Sequence, residues 1–421
     1  MKAVFDKIRK YNAWDGNLYS TGYQRRKYID RIKSFMGNKL IKVMVGQRRS
    51  GKSYIMRQLI NNLIISQKVA PTNVFYLNKE FIAFDEIRTV NDLEELFVQY
   101  RANIKPKGKI WIFLDEVQDI SGWEKFVNSY GQDFTEEYEL FITGSNSKLL
   151  SGELASLLSG RYVEFEVFPF SLHEMAEVKN RPVTRDFFID YMKTGGLPET
   201  INFSGEELCR HYVDDLKNTI MLRDIMQRHK VSDPGLLEEI FRFLATNTGN
   251  LTSISNIVNY FKSRQRKTNY ETLSTYIGHL QDAFLFHAAD RFNLRGKQTL
   301  GGVRKYYLND PAFRSFFFGF YPQDTGYYLE NYVFLQLKRQ GYKISVGVVN
   351  GNEIDFVAHK AEKTVYYQVA YLLSEPATFE REFGNLVAIK DNYEKAVISL
   401  DEMNFSDYRG VKHIRPWELE E

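Results

Sequence analysis

Residues 46–53 have the residue types and the spacing of a loop that binds phosphate. They read Gly-Gln-Arg-Arg-Ser-Gly-Lys-Ser, which fits the pattern G-x-x-x-x-G-K-[ST] at every fixed position. In such a loop backbone N–H groups surround phosphate oxygens, the lysine reaches the β- and γ-phosphates, and the final hydroxyl ligates Mg²⁺. We therefore predict that Lys52 contacts phosphate and that Ser53 ligates Mg²⁺. The predicted nucleotide contacts are Gly46, Gln47, Arg48, Arg49, Ser50, Gly51, Lys52, Ser53 and Tyr54.

The residues on either side of the loop supply the elements that position it. Residues 40–45 are apolar and partly β-branched, as in a buried strand, and residues 54–60 have helical spacing. The N-terminus of that helix adds its dipole to the anion site. A glycine turn before an ordinary helix is the alternative, and the complete motif in a strand–loop–helix context argues against it. The sequence leaves open whether Arg48 and Arg49 meet phosphate, protein or DNA.

A second apolar run, residues 109–114, ends in two acids, Asp115 and Glu116. Because open α/β sheets bind ligands at the carboxyl ends of their strands, we predict that Asp115 holds Mg²⁺. Glu116 would polarise the attacking water as general base. A strand that simply ends in solvated acids is the alternative. Together with the phosphate loop, the two acids predict Mg²⁺-dependent hydrolysis of ATP.

Two more strand candidates bear on the same site. Residues 73–77 form one of them. An extra strand between the phosphate loop and the acid strand is typical of ATPases with a catalytic glutamate. This arrangement argues against a small kinase. The other, residues 139–143, leads into a polar loop. There we favour Asn146 as a sensor of the γ-phosphate, and Ser145 is the next candidate. The alternative is a polar loop that caps the next helix.

Arg161 comes just before a strand candidate at residues 162–168. An arginine at this place can stabilise transition-state charge, either in its own subunit or from a neighbouring one. A solvated arginine at a strand start is an equal alternative. The residues alone do not decide between these roles.

Taken together, these motifs resemble a prokaryotic AAA-type ATPase family of P-loop proteins close to the archaeal ATPases. The resemblance rests on residues 46–53, 114–118, 123–124, 143–147, 160–161 and 168–171, and on a landmark at 195–199. It implies phosphate and metal contacts for Lys52 and Ser53, a metal carboxylate in Asp115 and a base in Glu116. It also implies a sensor in Asn146 and a charge-stabilising arginine in Arg161. In that family the C-terminal region is a restriction-endonuclease-like domain of unknown function.

The composition excludes several other classes of protein. The chain has 421 residues, of which 43% are hydrophobic and 26% charged, which is typical of globular domains rather than of disorder. Lys and Arg total 56 against 53 Asp and Glu, too balanced to identify a nucleic-acid or membrane partner. Its single cysteine, Cys209, cannot form an internal disulfide or a thiolate metal cluster. With no signal peptide or membrane-length apolar run in the sequence, we expect a cytoplasmic protein without a membrane partner.

We predict three domains, at residues 1–204, 205–322 and 323–421. In the middle one, helical patterns at 236–245, 253–261 and 270–281 precede strand candidates at 283–288 and 305–308. Three helices and a hairpin suggest a winged helix, which the resemblance also implies, with 270–281 as the recognition helix. The surrounding basic residues could contact duplex DNA or could form a solvated face. They are Lys262, Arg264, Arg266, Lys267, Arg291, Arg295, Lys297, Arg304 and Lys305.

The C-terminal part resembles a restriction-endonuclease-like domain that has lost residues of its site. Such domains bring a helix glutamate, a strand aspartate and a Glu-x-Lys pair to Mg²⁺. Glu330 and Asp355 match, but Gln368 and Ala370 occupy the Glu-x-Lys positions. Because Mg²⁺ prefers carboxylate oxygens and the ammonium that favours hydroxide is missing, we expect no nuclease activity. An inactive domain of this kind can still bind DNA or a protein partner.

The fold class expected is therefore α/β: a P-loop core with a parallel sheet, a winged helix and a degenerate nuclease-like domain. The expected function is an ATPase that uses ATP and Mg²⁺, couples hydrolysis to domain rearrangement and associates with DNA. The alternative is a nucleotide-switched scaffold that acts on a protein partner, with slow hydrolysis and no role on DNA.

Overall fold

The computed structural model of the chain describes residues 2–150, 158, 160–402, 405 and 407–419. The chain divides into two compact units, Met1–Phe168 and Pro169–Glu421. The division into three domains at 204/205 and 322/323 remains a prediction. None of the helices among the described residues combines the length and the apolar character needed to cross a bilayer.

The N-terminal unit is built on a parallel five-stranded sheet in the order β2-β3-β4-β1-β5. Four of its strands are buried along their whole length, as continuous apolar runs predict for a parallel sheet covered on both faces. The strands are β1 (Ile41–Val45), β2 (Val74–Asn78), β3 (Ile110–Asp115), β4 (Tyr138–Gly144) and β5 (Tyr162–Glu166). The helices are α1 (Lys2–Ile8), α2 (Arg26–Lys33), α3 (Lys52–Ser66), α4 (Val90–Ile104) and α5 (Trp123–Gln132). The predicted α/β P-loop core is confirmed.

The strand order refines one expectation about the sheet. The candidate at 73–77 becomes β2, which lies at the edge of the sheet beside β3. The strand inserted between β1, which carries the phosphate loop, and the acid strand β3 is β4. Because the three strands are parallel, their carboxyl ends lie at the same end of the sheet, where the predicted site residues follow them.

The C-terminal unit combines helices with an eight-stranded sheet in the order β13-β12-β11-β10-β9-β7-β8-β6. Its strands are β6 (Thr252–Ser253), β7 (Phe286–Asn293), β8 (Gln298–Leu308), β9 (Lys343–Val349), β10 (Asn352–Lys360), β11 (Lys363–Val369), β12 (Glu394–Ile398) and β13 (Lys412–Ile414). Its helices are α6 (Leu172–Val178), α7 (Arg185–Thr194), α8 (Glu206–Thr219), α9 (Pro234–Thr246), α10 (Ile254–Ser263), α11 (Tyr270–Asp282), α12 (Ala312–Phe318), α13 (Thr325–Arg339) and α14 (Pro376–Val387). Helix α8 continues into a π-helix, Ile220–Met226.

The middle of the chain contains the predicted three helices followed by a hairpin. Helices α9, α10 and α11 lie within two or three residues of the predicted bounds, and β6, before α10, pairs with β8 of the hairpin. The hairpin strands are longer than predicted because both continue into residues without apolar alternation. The added part of β8 is largely exposed, whereas that of β7 is mostly half-buried. Strand β7 also pairs with β9, so strands on both sides of residue 322 belong to one sheet.

The two glycines of the landmark at residues 195–199 are needed because other groups of the protein lie very close to their Cα atoms. Gly195 has φ +73°, and a Cβ there would lie 1.9 Å from an oxygen of the buried Asp310 carboxylate. A Cβ on Gly196 would lie 2.0 Å from the Phe170 carbonyl oxygen. Gly196 also donates its N–H to Asp310 at 2.8 Å and accepts from the Phe170 N–H at 2.7 Å. Only residues without a side chain fit here.

Replacing Gly196 with alanine should destabilise the chain by about 1–3 kcal/mol, because the new methyl group must displace backbone. The midpoint of thermal unfolding measures the effect. Gly384→Ala is the matched control, since Gly384 lies within α14 and a Cβ there meets nothing within 4 Å. That control should leave the midpoint unchanged or raise it slightly. Equal midpoints for the two variants would contradict this account of the landmark.

Candidate functional site

The loop at 46–51 joins the end of β1 to the start of α3 in backbone conformations that favour glycine. Gly51 has φ +100° and directly precedes the helix. Gly46 has φ +149°, and a Cβ on it would lie 2.2 Å from the Val167 carbonyl oxygen. The segment after β5 therefore packs against the loop so closely that only glycine fits at position 46.

Lys52 is held inside this loop. Its side chain is 4% exposed, and its ammonium donates to the carbonyl oxygens of Gly46 at 2.9 Å and Gln47 at 3.1 Å. The same nitrogen lies 3.6 Å from Oε1 of Glu116. The structure thus brings together a lysine and an acid that are 64 residues apart in sequence, as the predicted site requires.

Asp115 lies at the end of β3 in a dense hydrogen-bond network. Its Oδ2 accepts from the Tyr76 hydroxyl at 3.0 Å and from the Asn78 amide at 2.9 Å. Its Oδ1 accepts from the Thr143 hydroxyl, and the Ser53 hydroxyl is a further partner of the carboxylate. Burial, followed by the charge of Glu116, raises the pKa of Asp115 to about 6, although these hydroxyl donors oppose the rise.

The donor set at Asp115 fits a magnesium ion. The two predicted ligands, Asp115 and Ser53, are hydrogen-bonded to each other and supply a carboxylate and a hydroxyl oxygen. Mg²⁺ prefers such hard oxygen donors and is bound in nucleotide sites by one or two carboxylates together with phosphate and water. The pair therefore has the chemistry that the predicted metal needs.

Glu116 is buried but remains ionised. Burial by itself would raise its pKa, yet Lys52, a hydrogen bond from Gln118, the charge of Arg48 and a hydrogen bond from Ser145 together lower it. The Gln118 amide donates to Oε2 at 2.6 Å, and φ is +55° at Glu116. An ionised carboxylate held by directed donors is suited to accept a proton.

Thr143 positions both acids at once. Its hydroxyl donates to Asp115 Oδ1 and accepts the backbone N–H of Glu116 at 2.9 Å. Its place in the sequence predicted no role for it, and neither Tyr76 nor Asn78 was predicted to reach the site. A signal existed for Thr143 and Asn78, because polar groups at the ends of parallel strands meet at the same end of a sheet, whereas Tyr76 lies in the middle of β2.

Arg25 was also missed, and it supports the phosphate loop from the N-terminal segment. It is 2% exposed, and its guanidinium donates to the carbonyl oxygens of Ser50 at 3.0 Å and Phe168 at 2.8 Å. It also lies 4.4 Å from the centre of the Tyr28 ring. No local motif marks this residue, so the sequence held no signal for it.

The remaining predicted loop contacts differ in their surroundings. Arg48 forms an ion pair with Glu80, which favours the protein alternative for its partner. Arg49 is exposed, with φ +66°. Gln47 and Ser50 are buried, whereas Tyr54 is 44% exposed and stacks its ring under the Arg57 guanidinium at 4.2 Å. Nucleotide contacts by these residues remain predictions.

The loop after β4 contains both sensor candidates. Ser145 is fully buried and hydrogen-bonds to Glu116, so it reaches the site directly. Asn146 is 3% exposed, and its carbonyl oxygen accepts the Leu149 N–H at 3.1 Å. A short 3-10 turn, Ser147–Leu150, follows. The role of Asn146 as γ-phosphate sensor remains a prediction.

Arg161 lies at the opposite edge of the sheet from the phosphate loop. Its carbonyl oxygen accepts the N–H of Ile41, at the start of β1, and its side chain donates to Asn128 at 3.3 Å. The loop begins at Gly46, five residues along the strand, or about 16 Å away. Because β1 and β5 are parallel and Arg161 precedes β5, the geometry does not support a role in its own subunit, which stays one of the two open predictions. The alternative role in a neighbouring subunit remains a prediction.

Comparison with known proteins agrees with the class of domain that this site defines. Residues 38–176 match the family model described as an AAA domain, and residues 185–324 match a domain of unknown function, DUF8612. Residues 38–176 thus form an AAA-type P-loop domain, and most of them belong to the N-terminal unit.

The chain is 36% identical over 379 residues to an uncharacterized protein of Haemophilus influenzae. The matched region covers 89% of this chain and 92% of that protein. The chain belongs to the same family as that protein. It is 29% identical over 382 residues to an uncharacterized protein of Methanocaldococcus jannaschii, covering 86% and 80% of the two chains. Among solved structures, it is similar to the Aeropyrum pernix ORC1 protein in complex with DNA, with 13% identity, coverage of 68% and 89%, and a TM-score of 0.30.

Replacing Thr143 with valine should impair ATP turnover by misplacing both acids. The substitution keeps the side-chain volume but leaves Asp115 without one donor and the Glu116 N–H without its acceptor. We expect the rate of phosphate release to fall about 10- to 100-fold, as when a supporting hydrogen bond of a metal site is lost. Thr143→Ser retains the hydroxyl and should keep most of the rate. Similar rates for the valine and serine variants would contradict the positioning role.

Proposed function

We propose that the chain is a Mg²⁺-dependent ATPase whose hydrolysis cycle rearranges the domains that follow the P-loop core. One observation carries the proposal. The Lys52 ammonium lies 3.6 Å from the buried Glu116 carboxylate, next to a hydrogen-bonded pair of metal-ligand types, Asp115 and Ser53. The AAA-type domain, which spans residues 38–176, supports the same assignment.

In the proposed reaction each residue has a separate task. Backbone N–H groups of the loop 46–51 and the ammonium of Lys52 bind the phosphates, and Asp115 and Ser53 hold Mg²⁺. The ion, when bound, neutralises charge on the β- and γ-phosphates. Glu116 orients a water molecule in line with the γ-phosphorus and accepts its proton. The oxygen of that water forms the new bond to phosphorus, the bond to the β–γ bridging oxygen breaks, and ADP leaves.

Glu116→Gln tests the base directly. The amide cannot accept the proton of the water, so ATP turnover should fall by at least about 100-fold. ATP binding should persist, because Lys52 and the loop amides remain. Phosphate release and binding of a fluorescent ATP analogue separate the two properties. Glu95→Gln, at an exposed position of α4, is the control and should turn over like the wild type. Unchanged turnover in Glu116→Gln would refute the assigned base.

A second proposal is that the three helices and hairpin form a winged helix that contacts duplex DNA. The observation in favour is a group of exposed cations beside α11 and at the hairpin turn: Lys262, Arg264, Lys267, Arg295 and Lys297. Residues 270–282 contain no lysine or arginine, so the flanking cations would supply the phosphate contacts.

Several basic residues expected at this surface form ion pairs with acidic residues of the same chain or are buried. Arg266 pairs with Asp233 at 2.9 Å and with Glu239 at 3.3 Å, and Arg304 pairs with Asp290. Lys305 is buried, so the expectation that it faces DNA is wrong. The proposed contact surface is therefore smaller than the basic composition suggests.

Neutralising the hairpin turn tests the DNA proposal. The double substitution of Arg295 and Lys297 by glutamine should weaken duplex binding and lower the salt dependence by roughly two counterions, because two phosphate contacts are lost. Fluorescence anisotropy at several salt concentrations measures both effects. Lys390→Gln, at an exposed position elsewhere in the C-terminal unit, should bind DNA like the wild type. A wild-type chain that is indifferent to DNA, in binding and in turnover, would instead favour the nucleotide-switched scaffold with a protein partner.

A further inference from the structure

A lysine from the hairpin lies inside the acid cluster of the C-terminal sheet. The Lys305 side chain, on β8, is 4% exposed, and its ammonium lies 2.8 Å from Glu330 Oε1, 2.7 Å from Glu353 Oε1 and 3.6 Å from Asp355 Oδ1. Glu330 is on α13, whereas Glu353 and Asp355 are on β10. The ammonium therefore joins three elements of the C-terminal unit.

The ammonium contacts both acids that occupy metal-ligand positions of the restriction-endonuclease-like pattern. Glu330 and Asp355 are the residues that match the restriction-endonuclease-like pattern, and Lys305 contacts both. Tyr307, two residues further along β8, donates its hydroxyl to the same Glu330 oxygen at 2.7 Å. The hairpin thus contributes both a cation and a hydroxyl donor to the place where the metal would bind.

Asp355 and the neighbouring Gln368 are also held by other protein groups. Asp355 Oδ2 accepts the N–H of Val369 at 2.8 Å. Gln368 accepts the N–H of Asp355 at 2.7 Å and donates to Glu382 at 2.7 Å. Arg381 donates to the other Glu382 oxygen. The glutamine in place of a glutamate ligand is therefore engaged as a structural bridge.

We propose that Lys305 is a built-in cation that takes the place of the divalent metal ion among Glu330, Glu353 and Asp355. In the wild-type chain the cluster then binds no divalent cation and instead ties β8 of the hairpin to α13 and β10. An ammonium at hydrogen-bond distance from Glu330 and Glu353 leaves no room for Mg²⁺, which needs six oxygen ligands at about 2.0–2.1 Å. The inference is independent of the ATPase proposal.

The protonation of the cluster agrees with this assignment. Burial, followed by the charge of Glu330, raises the pKa of Asp355 to about 8, although Lys305 opposes the rise. Burial opposes the charged form of Lys305, but the nearby carboxylates outweigh it and raise its pKa. The carboxylates therefore keep the ammonium of Lys305 in its charged form inside the cluster.

The test is Mn²⁺ binding and stability of Lys305→Met, with Mn²⁺ alone as the probe. All proteins carry Asp115→Asn, so that the site at the phosphate loop does not contribute. The Lys305→Met chain should have a lower unfolding temperature, and Mn²⁺ should raise it by on the order of 3 °C at ion concentrations well above Kd. Paramagnetic resonance should show a bound ion in this variant, and the ion should be lost when Asp355→Asn is added.

The control is Lys343→Met, an exposed lysine at the start of β9, which should gain no Mn²⁺ site. A folded Lys305→Met chain without a new site would overturn the proposal. The proposal would also be overturned if the chain that retains Lys305 bound Mn²⁺ and if Glu353→Gln or Asp355→Asn abolished that binding. This second arm decides the matter even if Lys305→Met does not fold. DNA cleavage with Mn²⁺ by the wild-type chain that disappears in Asp355→Ala would also overturn it and would indicate a nuclease.

Discussion

The attraction between the Lys52 ammonium and the Glu116 carboxylate, 3.6 Å apart in a buried sheet edge, is the constraint on which the N-terminal unit depends. Removing opposite charges from water is costly unless each is paired and hydrogen-bonded. The loop carbonyls satisfy Lys52, while Gln118 and Ser145 satisfy Glu116. The insertion of β4 between β1 and β3 makes this possible, because it places Thr143 beside both acids.

At the other end of the same sheet, buried charged side chains form a structural cluster. Lys42 on β1 is fully buried and forms an ion pair with Glu139 on β4, which Lys109 also contacts. The Gly37 N–H reaches the same carboxylate at 3.3 Å. Losing one partner of such a group leaves an uncompensated buried charge, so these residues act as a unit that ties β1 to β4. The predicted nucleotide site and this ionic cluster thus lie at opposite ends of the strands.

The two units use lysine in opposite ways. Lys52 is bonded to carbonyl oxygens of the loop at 46–51, and in our proposal its charge binds the phosphates of ATP. Lys305 is bonded to carboxylates of its own unit, so its charge is used within the fold. In our proposal the chemistry is therefore confined to the N-terminal unit, and the C-terminal unit contributes binding surfaces.

The sequence by itself determined the phosphate loop with the helix after it, the pair Asp115 and Glu116, the parallel P-loop core and the three helices of the middle region, because these depend on local spacing and periodicity. Only the tertiary structure decided which distant residues support the site, including Arg25 and Tyr76. It alone placed Arg161 at the far edge of the sheet and Lys305 among acids. Strand order, register and burial arise from packing between segments far apart in the chain, and a linear pattern does not specify which side chains that packing brings into contact.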